Sequence, residues 1–206
     1  MNIYLVRHGI STGNGRNCFM GWSDHPLTEI GRAQAERAAE RLAGLGPMPV
    51  ICSDLLRARQ TAEIIAGRWI GEVMPDARFR ETGCGRFEDR PWDDFSNELE
   101  LQSQFEADSY HTVMPDGESV AMMAARVTAA FSEALQRTDE NLLIVSHAGP
   151  ICAMLAHCLA IPPTHIWRLY TNHGSFTHLT YKDEWLSVRV VNDTSHLATA
   201  ACPPPG

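Results

Sequence analysis

The chain has 206 residues, of which 44% are hydrophobic and 20% charged, and a chain of this length can bury the core of one globular domain. Its formal net charge of -8 argues against nucleic-acid and anionic-membrane partners, because such surfaces need an excess of Lys and Arg. No apolar run approaches the ~18 residues of a membrane span, and the N-terminus lacks the basic segment and cleavage site of a signal peptide. We therefore expect a cytoplasmic protein with neither kind of partner.

The six cysteines form neither a C-x-x-C pair nor a Cys/His cluster with zinc-binding spacing. They are Cys18, Cys52, Cys84, Cys152, Cys158 and Cys202. A core of this size does not require disulfide bonds. We therefore predict reduced thiols, no bound metal ion and no cofactor.

The chain begins with a predicted strand that leads directly into polar residues. Residues 2–6 form an apolar run that ends at Arg7-His8-Gly9, which predicts a buried strand with His8 at its carboxyl end. An alanine-rich helix is predicted next, from an N-cap at Thr28 to about Gly44.

A second strand and helix follow at once. Residues 49–52 predict a strand, and the spacing of apolar residues predicts a helix over 55–69. Ser53 and Asp54 are the predicted caps of that helix.

The second half of the chain predicts further helices and three strands. Residues 92–137 are mainly helical, with a break at the turn 114–117. The later predicted elements are a strand at 142–145, a helix from about 147 to 159, and strands at 176–181 and 185–191.

This alternation predicts an α/β fold with three layers, α/β/α, around a mainly parallel sheet. Residues 1–197 are predicted to form a single domain, and residues 198–206, with three consecutive prolines, a loose tail. Ligands of such sheets bind beyond the carboxyl ends of the strands. His8, Ser53 and His147 are predicted to lie there.

The residues around His8 suit an anion. Arg7 supplies a fixed cation, Ser11 and Asn14 supply neutral donors, and Gly9 allows the backbone to approach a ligand closely. Together they predict an anion pocket around an imidazole.

Four blocks resemble, in order, the histidine phosphatase superfamily, in the branch that includes cofactor-dependent phosphoglycerate mutase. The first is Leu5-Val6-Arg7-His8-Gly9 with Ser11 and Asn14. The others are 21–35, with Gly-Trp-Ser-Asp-His-Pro-Leu-Thr-Glu, 53–62, with Ser-Asp-Leu-Leu-Arg-Ala-Arg-Gln-Thr-Ala, and 146–151, with Ser-His-Ala-Gly-Pro-Ile. The likeness extends from residue 2 to about residue 197 and implies a phosphoglycerate mutase-like fold.

The resemblance implies a role for each matching residue. His8 would become the phosphohistidine, a covalent intermediate that divides a difficult displacement into two steps. Arg7, Arg57 and His147 would hold phosphate oxygens, and the two guanidiniums would disfavour protonation of His8. Glu81 would donate a proton to the leaving alcohol and later take one from water. Further implied contacts to phosphate or substrate are Ser11, Asn14, Trp22, Ser23 and Ala148.

Two of these assignments have alternatives. Arg59 lies on the same predicted helix as Arg57, but the Leu-x-Arg-Ala setting favours Arg57. The loop 81–89 departs from the family pattern, so Glu88 is an alternative proton donor. Ile10 and Ala148 also replace residues that are more common in relatives. The other histidines are expected to be structural or exposed; they include His25, His157, His165, His173 and His178.

The resemblance leaves three activities open. The length, shorter than that of typical mutases, favours a phosphatase whose phosphohistidine is open to water. Residues 90–95 and 114–120 resemble α-ribazole phosphatases and broad-specificity relatives. The expected partner is a small-molecule phosphate ester, for a monomer or homodimer. The alternatives are a phosphoglycerate mutase and a non-catalytic phospho-ligand binding protein.

Overall fold

The computed structural model describes residues 1–69, 72–138 and 140–198. Within them, the strands are β1 Asn2–Arg7, β2 Val50–Cys52, β3 Val73–Pro75, β4 Leu142–Ser146, β5 Phe176–Lys182 and β6 Trp185–Asp193. The helices are α1 Glu29–Leu42, α2 Leu56–Ala66, α3 Trp92–Ser96, α4 Leu99–Ala107, α5 Val120–Arg137 and α6 Ala148–Cys158. The strands form one sheet in the order β3-β2-β4-β1-β5-β6.

The sheet is mainly parallel, as predicted. The pairs β1–β4, β2–β4 and β2–β3 are parallel, whereas β1–β5 and β5–β6 are antiparallel. β3, which lies at the edge of the sheet and ends in Pro75, was not predicted from the sequence. A three-residue edge strand with a proline has too little apolar alternation to be recognised from its own sequence.

Helices cover both faces of the sheet, which confirms the three-layer architecture. Alternate side chains of β1 point to opposite faces, because the side-chain period of a strand is two. Ile3 and Leu5 pack with residues of α5 and α6, whereas Tyr4 and Val6 pack with residues of α1 and α2. β4 is buried along its whole length, as expected for a central strand covered on both faces.

The starts of α1 and α2 are stabilised differently. Thr28 caps α1 as predicted, since its hydroxyl accepts a hydrogen bond from the amide of Gly31 at 3.0 Å. The prediction that Ser53 and Asp54 cap α2 is wrong. Asp24, from the preceding loop, accepts from the amide of Leu56 at 2.6 Å, and Asp54 is bound by Arg80.

The segment between β3 and α5 has a small apolar core of its own. Phe19, Phe87, Phe95 and Met114 are buried together, and side chains of α4 pack against them. This cluster anchors α3, α4 and the loop that carries Glu88 to the residues after β1.

Among the described helices, none is both long enough and apolar enough to cross a membrane. The five described cysteines are free. The predicted tail, 198–206, lies outside the described residues except for Ala198.

Candidate active site

Three strand ends meet at the site. β1 and β4 pair in register with Arg7 beside Ser146, and β2 and β4 with Cys52 beside Val145. The next residues along these strands are His8, His147 and Ser53, so all three lie at one edge of the sheet. The imidazoles of His8 and His147 are 4.9 Å apart between ring centroids.

The His8 ring is buried and held in one tautomer. Its Nδ1 lies 2.7 Å from the carbonyl oxygen of Gly9. A carbonyl oxygen can only accept a hydrogen bond, so Nδ1 carries the proton and Nε2 carries the lone pair. The nitrogen that can act as a nucleophile is therefore Nε2.

The surroundings of His8 keep it neutral. Burial is the main cause that lowers the pKa of His8 well below its ordinary value, and His147, Arg57, His173 and Arg7 lower it further. The sequence analysis expected the two arginines to disfavour protonation of His8. The structure adds burial as the largest single cause of the lowered pKa.

Arg57 lies inside the site, as the sequence analysis favoured, and Arg59 lies on the surface. Arg57 is fully buried, and its Nη1 and Nη2 each donate at 2.7 Å, to the carbonyl oxygens of Ser23 and Gly21. Arg59 points outward, half exposed, with Nη2 3.6 Å from a carboxylate oxygen of Glu63. The loop 21–23 therefore fixes the orientation of the Arg57 guanidinium.

Arg7 is held by the segment that precedes β5. Its Nη1 donates to the carbonyl oxygen of Thr171 at 2.5 Å, and its Nη2 to Nε2 of His173 at 3.1 Å. Burial lowers the pKa of Arg7 and of Arg57, and the carboxylate of Glu81 opposes this shift for both. Glu81 is thus within electrostatic range of both guanidiniums.

His173, which was expected to be structural or exposed, is partly buried beside His8, with ring centroids 5.1 Å apart, and holds Arg7. Because an arginine can only donate, Nε2 of His173 accepts, and its proton is on Nδ1, which lies 3.3 Å from the carbonyl oxygen of His8. Burial, with Arg7, lowers the pKa of His173 to about 3. A single histidine between two predicted elements gave no sequence signal for this contact.

His147 also lies next to the His8 ring. Its Nε2 is 2.8 Å from the hydroxyl of Ser53. Burial is the largest cause that lowers the pKa of His147 well below its ordinary value, and the charges of Arg57 and Arg7 lower it further. Ala148 is the first residue of α6, so its amide is one of the donors that a helix leaves without an internal partner.

Glu81 reaches the site through the first turn of α6. Its two carboxylate oxygens accept from the amides of Gly149 at 3.2 Å and Thr82 at 2.9 Å. A Cβ on Gly149 would lie 2.3 Å from Oε1 of Glu81. The glycine in this position therefore makes the space that the carboxylate occupies.

Glu88, the alternative proton donor, is occupied elsewhere. Its carboxylate accepts five hydrogen bonds, from the amides of Gly21, Trp22, Ser23 and Cys84 and from the Ser23 hydroxyl, at 2.6 to 3.1 Å. It thereby fastens the loop that holds Arg57. Glu81 accepts only two hydrogen bonds, which favours Glu81 over Glu88 as the carboxyl that acts on a ligand.

Four other predicted contacts lie on the loops around the site. The amide and hydroxyl of Ser11 both donate to Oδ1 of Asn14, which leaves the NH₂ group of Asn14 unused. The hydroxyl of Ser23 donates to Glu88, so Ser11 and Ser23 would need to rotate to contact a ligand. Trp22 is partly exposed and donates from Nε1 to the carbonyl oxygen of Glu81 at 2.7 Å.

Gly9 is required for packing against α1. A Cβ at this position would lie 2.3 Å from the carbonyl oxygen of Gly31, in the first turn of α1. The loop after β1 therefore lies against α1, and this contact is a second reason for the glycine.

The unpaired polar atoms of the site are suited to an anion. Among the described residues, the buried nitrogens without a hydrogen-bond partner include Nε of Arg7, Nε of Arg57 and Nδ1 of His147. An unpaired buried polar atom costs ~1–3 kcal/mol unless a ligand or water satisfies it, and the two arginine Nε–H groups are donors that an anion can accept from. Across residues 1–69, 72–138 and 140–198, no group of three or more His, Cys, Asp or Glu side chains is arranged to hold a metal ion.

Known proteins share this architecture. A structure described as the alpha-ribazole phosphatase from Shigella flexneri superposes with a TM-score of 0.88 at 26% identity, over 94% of this chain and 96% of that one. A mycobacterial glucosyl-3-phosphoglycerate phosphatase in complex with VO3 superposes with a TM-score of 0.83 at 27% identity, over 94% and 99%.

Sequence relatives have another name. A protein of Yersinia enterocolitica named "Probable phosphoglycerate mutase GpmB" is 33% identical over 204 residues, which cover 96% of this chain and 95% of the relative. The family model of the histidine phosphatase superfamily (branch 1) matches residues 3–194. The chain therefore belongs to branch 1 of the histidine phosphatase superfamily.

Proposed function

We propose that this protein hydrolyses small-molecule phosphate monoesters through a phosphohistidine on His8. The observation that carries the proposal is the fixed tautomer of His8, which leaves the lone pair on Nε2 of a buried ring within electrostatic range of Arg7, Arg57 and His147. A neutral imidazole next to two guanidiniums combines a nucleophile with the charges that bind and stabilise a transferring phosphoryl group.

The first half-reaction would transfer the phosphoryl group to the enzyme. Nε2 of His8 attacks phosphorus, the N–P bond forms, and the P–O bond to the alcohol breaks. Glu81, in its protonated form, gives the leaving oxygen its proton. The carbonyl of Gly9 stabilises the positive charge that develops on the ring, because it accepts from Nδ1.

The second half-reaction would return the enzyme to its starting state. Glu81, now a carboxylate, takes a proton from a water molecule, whose oxygen attacks the phosphorus of phosphohistidine. The N–P bond breaks and inorganic phosphate forms. The electron pair of the N–P bond returns to Nε2 of His8. Arg7, Arg57 and His147 hold the equatorial oxygens in both steps.

Hydrolysis is favoured over mutase activity by the solved structures that the chain resembles, two of which are described as phosphatases. Length does not decide the question, contrary to the sequence-based expectation, because this chain covers 95% of a relative named as a probable mutase. That relative makes phosphoglycerate mutase the second candidate. The alpha-ribazole phosphatase likeness supports α-ribazole phosphate as a first substrate to test. A non-catalytic binding protein is disfavoured, because the chain retains His8, both arginines and Glu81, and the arginines lie within electrostatic range of the other two.

The test is to measure phosphate release and isomerisation in the same assays. Purified protein is given p-nitrophenyl phosphate, α-ribazole phosphate, phosphoglycerates and sugar phosphates. A parallel series contains added bisphosphoglycerate, which would stimulate a mutase. We expect phosphate release that His8→Ala abolishes and that His111→Ala, a change at an exposed histidine, leaves intact. Isomerisation of phosphoglycerate faster than phosphate release would favour the mutase. Binding of vanadate without turnover of any ester would favour the binding protein.

A further inference from the structure

The segment that carries Glu81 is tied to α5 by one partly buried arginine. Arg126 donates from Nη1 to the carbonyl oxygens of Arg78 and Arg80 at 2.8 and 2.7 Å. It donates from Nη2 to the carbonyl oxygen of Glu81 at 2.7 Å. Three carbonyls within four residues therefore converge on a single guanidinium.

The remaining donors of Arg126 are bound by Glu118. Nε and Nη2 each donate to one of its carboxylate oxygens at 2.8 Å. A guanidinium has five N–H groups in a rigid plane, and five hydrogen bonds are formed. The side chains of Arg126 and Glu118 are only 19% and 10% exposed, so water competes little for these contacts.

Glu118 extends the same contacts to the residues after Glu81. Its Oε2 accepts from the amide of Gly83 at 3.1 Å, and its own amide donates to the carbonyl oxygen of Gly83 at 2.9 Å. The backbones also meet closely there, since a Cβ on Gly117 would lie 2.4 Å from that carbonyl oxygen. Residues 78–83 are thus fixed on both sides of Glu81.

We propose that Arg126, held by Glu118, is a positioning residue that sets the place of the Glu81 carboxyl and thereby its function as general acid. This rests on the proposed function of Glu81. The arginine acts through backbone carbonyls, so the constraint does not depend on the side chains of the residues that it holds. A displacement of a reacting group by about 1 Å can cost ~100-fold in rate.

Leaving groups of different basicity separate this role from a structural one. An alkoxide leaving group needs a proton from the acid, whereas p-nitrophenolate leaves readily without one. The value of kcat/KM reports the steps up to the formation of phosphohistidine, so it isolates the acid step from the later action of water. A variant with a misplaced Glu81 should lose kcat/KM for an alkyl phosphate and keep it for p-nitrophenyl phosphate.

The experiment compares Arg126→Lys and Glu118→Gln with Glu81→Gln. Arg137→Lys is the matched control, because Arg137 is on the same helix and pairs with Glu133 at the surface. We expect Arg126→Lys and Glu118→Gln each to lower kcat/KM by ~10- to 100-fold for an alkyl phosphate, but by less than about 3-fold for p-nitrophenyl phosphate. Glu118→Gln keeps a neutral acceptor and serves if Arg126→Lys does not fold.

The outcomes separate the positioning role of Arg126 from the role of Glu81 as the acid. Suppose that Glu81→Gln lowers kcat/KM for the alkyl phosphate alone. Equal losses for both substrates in Arg126→Lys and Glu118→Gln, or no loss for either, would then overturn the positioning role. If Glu81→Gln itself lowers both values equally, the assignment of Glu81 as the acid fails, and the positioning role fails with it. Loss of turnover in His8→Ala remains the separate test of the phosphatase.

Discussion

Gly149 and Glu81 fit together so closely that no side chain can be added at Gly149. Its amide donates to Oε2 of Glu81 at 3.2 Å, and a Cβ would lie 2.3 Å from Oε1. The first turn of α6 is thus shaped around the carboxylate that we assign as acid and base.

Gly149→Ala should therefore displace Glu81 without removing any reacting group. We expect a loss of ~100-fold in kcat/KM for an alkyl phosphate, measured by steady-state kinetics. Gly44→Ala is the matched control, since nothing lies within 4 Å of a Cβ there, and it should retain activity. Wild-type activity in Gly149→Ala would contradict the placement of Glu81.

Arg57 and Arg59 allow a comparison of the same substitution two residues apart. Arg57→Lys removes the fork that bonds the carbonyls of Gly21 and Ser23, and we expect kcat/KM to fall by ~100- to 1000-fold. Arg59→Lys changes only a half-exposed pair with Glu63 and should stay within about 3-fold. Equal effects of the two variants would argue against Arg57 as a phosphate ligand.

His173→Ala tests the contact that orients Arg7. The variant leaves Nη2 of Arg7 without its acceptor, and a hydrogen bond to a charged group is worth ~1.5–3 kcal/mol. We expect kcat/KM to fall by at least about 10-fold, and His173→Gln, which retains an acceptor, to recover part of it. His111→Ala serves as the exposed-histidine control. An unchanged kcat/KM in His173→Ala would show that Thr171 alone suffices to hold Arg7.

How far the sequence predicts this molecule differs between its elements. β1, β4 and the residues after them could be predicted, because long apolar runs next to polar motifs are strong local signals. The cap of α2 by Asp24 could not, since donor and acceptor are about thirty residues apart and meet only in the folded loop. The choice between Glu81 and Glu88 could not either, because it depends on which amides each carboxylate meets in space.

His173 illustrates the same limit within the site. Its sequence neighbours predict only a strand beginning at Phe176, and its contact with Arg7 spans 166 positions of the chain. The antiparallel pairing of β5 with β1 creates that contact. Such a partner follows from the topology of the sheet, which short-range patterns do not contain.

The buried histidines should make the fold sensitive to mild acid. His8, His147 and His173 all have a lowered pKa in the fold, mainly because of burial, whereas in the unfolded chain they titrate near the ordinary 6.5. Below that pH the unfolded chain binds more protons than the folded one, so stability falls as pH falls. Each histidine contributes up to about 1.4 kcal/mol per pH unit.

Calorimetric unfolding at pH 7.5 and 5.5 measures this effect. The aspartates whose pKa is lowered, including Asp76 and Asp89, have an ordinary pKa of 3.8. Their titration therefore changes the stability only below this pH window. We expect Tm to fall clearly between the two pH values, and less steeply in His173→Asn, which removes one titrating group. A Tm that is equal at both pH values would contradict neutral, buried histidines.

The phosphohistidine itself is the central claim, and trapping it is the most direct test. The protein is mixed with a phosphate ester, quenched at high pH within the first turnovers, digested and examined by mass spectrometry. We predict one phosphoryl group, stable to base and lost in acid, on the peptide that contains His8, and none in His8→Asn. A phosphoryl group on another residue, or undiminished turnover by His8→Asn, would contradict the account.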